Sequence, residues 1–342
     1  MKINFTILAT LILSTFTLQA SDVTIKLPKV PEVPKVEAVV PKVTLITDEN
    51  HKTNQEILEE VTKEKKVIFS DHVAPELVEE IDAPEQIIEV GDVHNGQVTA
   101  YLHAPLMTPK EVSTALANAG FKVLDACKID KKGLATSIIF TNDAMINAAS
   151  KTNRGFASVL HVTIDKKNSL ISITNPIYMM AAFMQEAYDA KLANETLAAL
   201  RGAFKELKNS DETLKFRVLE RYQFMAGMPK YSDMQVIKQG TNASLIESAK
   251  KSKDIVYEIA LANGSTILGV TLGSRTTKFI KKTGYQNAGL LPYPVLIENG
   301  EAKILDPKYY IAIMYPMLKM SQFMTIATVP GAINKDIYKT FR

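Results

Sequence analysis

Apolar and polar positions divide this chain into a patterned body and a long unpatterned approach to it. From about Gln97 onward, apolar runs of strand length alternate with helical periods. The first half predicts strand 97–104, helix 108–119, strands 121–129 and 134–141, and a short helix from Asn142 or Asp143 to about Lys151. Strands 158–165 and 169–174 follow, then a long helix opened by Asn175-Pro176 and running to about Lys208. Thr108, Pro109 and Glu111 form a helix-start signature, and Gly120 a stop. The second half predicts strand 233–238, helix 243–252, strands 254–261 and 265–272, and helix 274–283. Strands 293–298 and 301–305 then lead to a long helix opened by Asp306-Pro307 and running to about Ala327. Asn263-Gly264 and Asn299-Gly300 mark tight hairpins. Between the halves, 212–224 reads as helical.

The body is written twice. Residues 159–184 read VLHVTIDKKNSLISITNPIYMMAAFM, and residues 292–317 read PYPVLIENGEAKILDPKYYIAIMYPM. Each has an apolar run, a polar turn, a second apolar run, Asn-Pro or Asp-Pro, and a helix rich in Tyr and Met. The pattern predicts an α+β fold of two tandem repeats, each an antiparallel sheet covered by helices. Repeat domain 1 is expected over 96–208, a connecting segment over 209–232, and repeat domain 2 over 233–342. Such a tandem is a pseudo-dimer within one chain, with any site between the repeats or once in each.

Ahead of the body the periodicity fails. Lys2, an apolar run over 5–16 and Leu18-Gln19-Ala20 predict a signal peptide over 1–20, cleaved near Ala20. That run is short for a bilayer span, and no later run reaches about 18 apolar residues. The expected location is the periplasm or outside the cell, with no transmembrane span in the mature chain. Residues 21–95 read as a Pro-rich and acidic linker. Pro28, Pro31, Pro34 and Pro41 favour an extended polyproline II segment, either a tether or a docking site for another envelope component.

Composition narrows the chemistry. The net charge is only +3, and no basic stripe carries interleaved aromatics, so nucleic acid is not an expected partner. Cys127 is alone and reads as an apolar filler, with a reactive thiol or an intermolecular bridge as the alternative. His51, His72, His94, His103 and His161 show no metal-ligand spacing, and CxxC, HExxH and GxSxG are all missing from the sequence. No cofactor and no catalytic residue are expected.

Two groups of side chains remain. Tyr178, Met179 and Phe183 on the first long helix, with Tyr310, Met314 and Met317 on the second, are candidates for the wall of an apolar ligand pocket. Met314, Met317, Met320 and Met324 fall on one face of the second helix, and Met317, Met320 and Met324 are candidate soft ligands for Cu(I). The same stripe also reads as ordinary core, since Met fills irregular gaps. Pro316 is expected to kink this helix.

These residues also carry a resemblance. Phe140-Thr141-Asn142, Val159-Leu160-His161-Val162 and Ile171-Ser172-Ile173-Thr174-Asn175-Pro176 resemble the bacterial family called domain of unknown function 302. Leu291-Pro292-Tyr293-Pro294-Val295 and Ile304-Leu305-Asp306-Pro307 repeat the pattern. The resemblance covers about 97–185 and 233–318. It keeps the family's Leu-Pro pair in the second copy, whereas the first has Val159-Leu160. It implies a fold similar in plan to the TATA-binding-protein-like fold and a one-chain version of the family's dimer; it implies no reaction. The resulting expectation is an exported, non-enzymatic binding or interaction protein, its partner an apolar small molecule or an envelope protein. A soft-metal or redox-associated accessory protein, and an enzyme with an unrecognised site, are the alternatives.

Overall fold

The computed structural model describes residues 88–342. The expected signal peptide and nearly all of the Pro-rich linker lie outside the described residues.

The first half contains β1 (Gln97–Thr99), β2 (Tyr101–Pro105), α1 (Pro109–Asn118), β3 (Lys122–Lys128), β4 (Ala135–Thr141) and α2 (Asp143–Ala149). It continues with β5 (Leu160–Asp165), β6 (Leu170–Thr174), α3 (Pro176–Met184) and α4 (Ala190–Ala203). Two short strands, β7 (Lys208–Asn209) and β8 (Thr213–Lys215), lead into the second half. There follow β9 (Gln235–Gln239), α5 (Asn242–Lys250), β10 (Ile255–Ala260), β11 (Thr266–Val270) and α6 (Ile280–Thr283). The chain ends with β12 (Tyr293–Glu298), β13 (Glu301–Ile304), α7 (Pro307–Met314), α8 (Met320–Met324) and α9 (Val329–Thr340).

The fold is α+β, and every strand pairing is antiparallel. One sheet runs β3-β4-β5-β6-β2-β7 and a second β10-β11-β12-β13-β9. A third, two-stranded sheet pairs β1 with β8. Without the edge strand β7 the two larger sheets have the same order: in each, the strand earliest in sequence lies beside the latest. Local chemistry sets the element ends. Thr108 and Glu111 complete a capping box on α1. Asn175 and Asp306 each accept from the backbone two residues on and are followed by Pro at the first helical position.

Both faces of β5 and β12 are buried, which requires each sheet to be covered twice. Helices cover one face. The other is covered by a segment from the opposite half. A 3-10 turn at Gly155–Ala157 packs on the second sheet, where a Cβ on Gly155 would stand 2.6 Å from Leu296 Cδ1. The turn at Tyr285–Leu290 packs on the first sheet, where a Cβ on Gly289 would stand 2.7 Å from Thr174 and 2.9 Å from Tyr101. Glycine lets both turns come this close; a Cβ would press on the Leu296 side-chain end in one and on Thr174 and Tyr101 in the other.

The expected long helices are not continuous. α3 stops at Met184 because Gln185 takes φ 54°, ψ −130°, and Asp189 then caps α4 through Leu192 N. α7 stops at Met314: Tyr315 precedes Pro316, leaves the helical region (φ −129°, ψ 68°), and Pro316 has no N–H to continue the ladder. Pro316 thus ends this helix rather than kinking it. Met314, Met317, Met320 and Met324 therefore do not share one helical face, which corrects the stripe expected from their spacing. Two further expectations are corrected. The strand 97–104 splits at Ala100, whose N–H donates to Glu212 O so that β1 pairs with β8. The segment 212–224 holds β8 and a 3-10 turn at Phe216–Arg221 in place of a helix.

Candidate functional site

The aromatic residues expected to wall a pocket meet, but in a packed joint. Tyr178, Met179, Phe183, Tyr310 and Met314 are all buried, and the Phe183 and Tyr310 rings meet at 59° with centroids 5.8 Å apart. Met317 is 53% exposed and stands apart from them. The joint has a specific task. A helix leaves its last carbonyls without partners, and those of α7 end inside the protein. Tyr222 OH donates to Ala312 O at 3.2 Å, Tyr178 OH to Ile313 O at 2.7 Å, and Tyr101 OH to Met314 O at 2.8 Å. Three tyrosines from the first half and the connector thus cap a helix of the second. Tyr178→Phe should cost about 1–3 kcal/mol, because it strands the buried Ile313 carbonyl. Urea unfolding measures this, and a loss under about 0.5 kcal/mol would remove the capping role.

The first sheet carries a polar row that the second lacks. Ser137, Thr163, Ser172 and His103 are direct cross-strand neighbours. The equivalent row in the second sheet is Ile267, Leu296, Lys303 and Val236. The Ser137, Thr163 and Ser172 hydroxyls and His103 Nε2 are buried without hydrogen-bond partners, so Ser172 and His103 form no nucleophile–base pair. His161, on the same face, also has an unpartnered Nε2, and burial lowers its pKa to about 4. With an unfolded value near 6.5, the unfolded chain binds the extra proton throughout the interval between. Stability must then rise with pH across that window and fall on acidification, by about 3 kcal/mol in all from this group. His161→Asn should flatten the curve of unfolding free energy against pH between about 4 and 6.5. Equal slopes in the two proteins would contradict the assignment.

The most unusual chemistry lies in a cleft of about 440 Å³ where the first half meets the connector. Its centre is Arg154, on the loop after α2. The guanidinium carbon sits 5.2 Å above the Tyr231 ring, and the side chain is 14% exposed. Nη2 donates to both Glu186 oxygens at 2.7 Å, Nη1 donates to Asn153 O at 3.3 Å, and Nε is buried without a partner. Glu186 is 69% exposed, and its hydrogen bonds from Arg154 hold its carboxyl below the usual value. Arg221 and Lys230 add positive charge at the wall, and Glu220 negative charge.

Behind Arg154 the cleft is braced by hydrogen bonds centred on Asn153. Asn153 has φ 59°, and its N–H donates to both Glu298 oxygens at 3.2 and 3.0 Å. Lys303 donates to Asn153 Oδ1 at 2.5 Å and to Glu298 at 3.0 Å. Tyr231 OH donates to Asn153 O at 2.5 Å, and burial raises its pKa. Gln185, at the cleft wall, holds the left-handed backbone that ends α3 and donates to Ala182 O at 2.5 Å. A non-glycine residue held there stores about 1–3 kcal/mol of strain, which concentrates at sites with a task. The sequence reading missed this cleft, for its parts come from 153–154, 185–186 and 220–234.

The remaining candidates are placed as follows. Met320 and Met324 lie one turn apart on α8, and Met317 precedes it; all three are exposed. Among the described residues no group of three or more His, Cys, Asp and Glu is placed to hold a metal ion. No helix among them is long and apolar enough to cross a membrane. Burial pushes the Cys127 thiol up to about 12, as suits an inert filler. Fold and cleft together define an α+β protein with two like sheets and a cationic site beside their junction. Comparison with protein-family models, with curated proteins and with solved structures finds no match.

Proposed function

We propose that this chain is an exported, non-enzymatic binding protein whose cleft around Arg154 takes a small molecule bearing a carboxylate. One observation carries the reading: a nearly buried guanidinium, fixed on an aromatic ring, is satisfied by a carboxylate that is itself exposed. Glu186, 69% exposed, recovers its hydration when it swings out, so its place on Arg154 is open to a competing carboxylate. A ligand carboxylate would take its place and also reach the unpartnered Nε, giving the two-pronged contact that guanidinium favours. Tyr231 is engaged with Asn153 and unactivated, so the site offers recognition rather than reaction.

The matching strand orders and the repeated sequence plan support two copies of one module joined as an intramolecular pair. Kinship with the family of domain of unknown function 302 rests on the short motifs, and export rests on the character of residues 1–20. A soft-metal role for Met317, Met320 and Met324 is the second reading, favoured by the exposure of all three thioethers.

Native mass spectrometry of the chain, purified gently from the export compartment with elemental analysis alongside, separates the readings. The expected result is an acidic organic adduct that Arg154→Met loses and Glu186→Gln retains more tightly, since that variant removes the internal competitor. A bare mass in all three proteins would contradict the carboxylate site, and stoichiometric copper or silver would establish the second reading.

A further inference from the structure

Nine large apolar side chains are exposed among the described residues, and Met225, Met317, Met320 and Met324 are four of them. They gather around α8. Met320 and Met324 leave one face of that helix, and Met317 precedes it by one turn of chain. Met225 follows Phe224, which packs on the buried Phe323 of α8 with centroids 5.5 Å apart, so its backbone lies beside this helix. Flexible thioether chains suit a surface that must fit an irregular apolar partner.

Positive charge borders this patch. Lys282 Nζ donates to Thr325 O at 2.7 Å, at the C-terminal end of α8. Arg275 and Lys278 line a cleft of about 270 Å³ against the residues that follow α8. Lys278 and Lys281 line a second cleft, of about 190 Å³, with Lys131 and Lys132. The sequence holds no Asp or Glu between Glu258 and Glu298, nor between Asp306 and Asp336. The nearest acids are occupied by backbone N–H groups. Asp130 accepts from Lys132, Leu134 and Ala135, Asp336 from Gly273, and Glu212 from Met317. Among the described residues, Lys131, Lys132, Lys278 and Lys281 share their cleft with one acid, Asp130, so positive charge outnumbers negative there by four to one.

We infer that this face docks on the surface of a membrane rich in anionic lipid, the methionines entering the headgroup layer and the cations lying over phosphates. Charge decides the choice of occupant: a cationic border attracts an anionic bilayer. Apolar knobs ringed by Lys and Arg are the composition of peripheral, interface-seated surfaces rather than of spanning ones.

Vesicle co-sedimentation of the full chain tests this, with vesicles of phosphatidylcholine alone and with about one-third phosphatidylglycerol. Binding is expected only to the anionic vesicles and should vanish at about 0.5 M salt, where the Debye length is a few ångströms. Lys278→Gln with Lys281→Gln should weaken it by about tenfold. Met320→Ser with Met324→Ser should do so by a similar factor, about tenfold, through lost apolar contact. These side chains are exposed, so an unchanged thermal midpoint separates lost docking from lost folding. Because the variants alter this face alone, any other membrane-binding segment of the chain affects all proteins alike. Equal binding to both vesicle types, or variants that sediment like the parent, would overturn the inference and leave a protein partner as the occupant.

Discussion

Lys303→Met is expected to destabilise the protein by about 3–5 kcal/mol, the largest single loss foreseen here. Glu298 is 4% exposed and Lys303 10% exposed, and their charged atoms are 3.0 Å apart. Removing the lysine leaves a carboxylate buried with only the Asn153 N–H and the Asn263 amide to offset its desolvation. The double variant Lys303→Met with Glu298→Gln should recover more than half of the loss, because no charge then remains to be buried. Urea unfolding of the two singles and the double closes the cycle. Additive losses, or a single loss under about 1 kcal/mol, would show that the pair is not coupled. The first sheet supports the comparison: Ser172 stands where Lys303 does, and Asp165, in the place of Glu298, is satisfied by the turn at Lys167 and Asn168. The ion pair is therefore a feature of the second half and of its contact with Asn153, not of the sheet itself.

Gly289→Val is expected to cost nearly as much, at the upper end of the roughly 1–3 kcal/mol seen for overpacking. The contact atoms belong to side chains that cannot easily move. Tyr101 is tied by its hydroxyl to Asn287 O and Met314 O, and Thr174 Oγ1 accepts from His161 N. The added methyls would have to separate the Tyr285–Leu290 turn from the first sheet, and with it the two halves. Gly202→Ala is the control. Nothing lies within 4 Å of a Cβ there, and Gly202 sits in α4, so the change should stabilise by about 0.5–1 kcal/mol. If Gly289→Val unfolds at the same denaturant concentration as the parent, the halves are not held by this contact.

Much of this was legible in the sequence because its causes are local. The Thr108 capping box, the Asn175-Pro176 and Asp306-Pro307 starts and the Asn299-Gly300 hairpin act within a few residues, and the strands and helix starts fall where they point. The breaks at helix ends were harder. Pro316 announced a disturbance, but whether it bends or ends a helix depends on what receives the freed carbonyls. Here Tyr222, Tyr178 and Tyr101 receive them from distant parts of the chain. Gln185 gave no signal, since neither Gly nor Pro stands there and its left-handed backbone is imposed by surrounding structure.

The cleft was the least legible. Glu298 beside Asn-Gly looks like an ordinary solvated turn charge, and only the approach of Asn153, 145 residues earlier, buries it. Arg154 and Tyr231 lie 77 positions apart in sequence and no periodicity links them. Tyr178, Met179, Phe183, Tyr310 and Met314 were conspicuous by composition, and the structure uses them to fill the joint. Met317, Met320 and Met324 shared a spacing with Met314 but not a helix.

The most direct test of the carboxylate cleft is the nuclear magnetic resonance signal of the Arg154 Nε–H in protein labelled at arginine, followed while succinate and glutarate are added. That N–H is buried and has no partner in the unliganded protein. A saturable downfield shift and slowed exchange with water, stronger in Glu186→Gln and matched by no other arginine, is the predicted result. An Arg154 signal that stays fixed while Glu186→Gln also fails to respond would contradict the site.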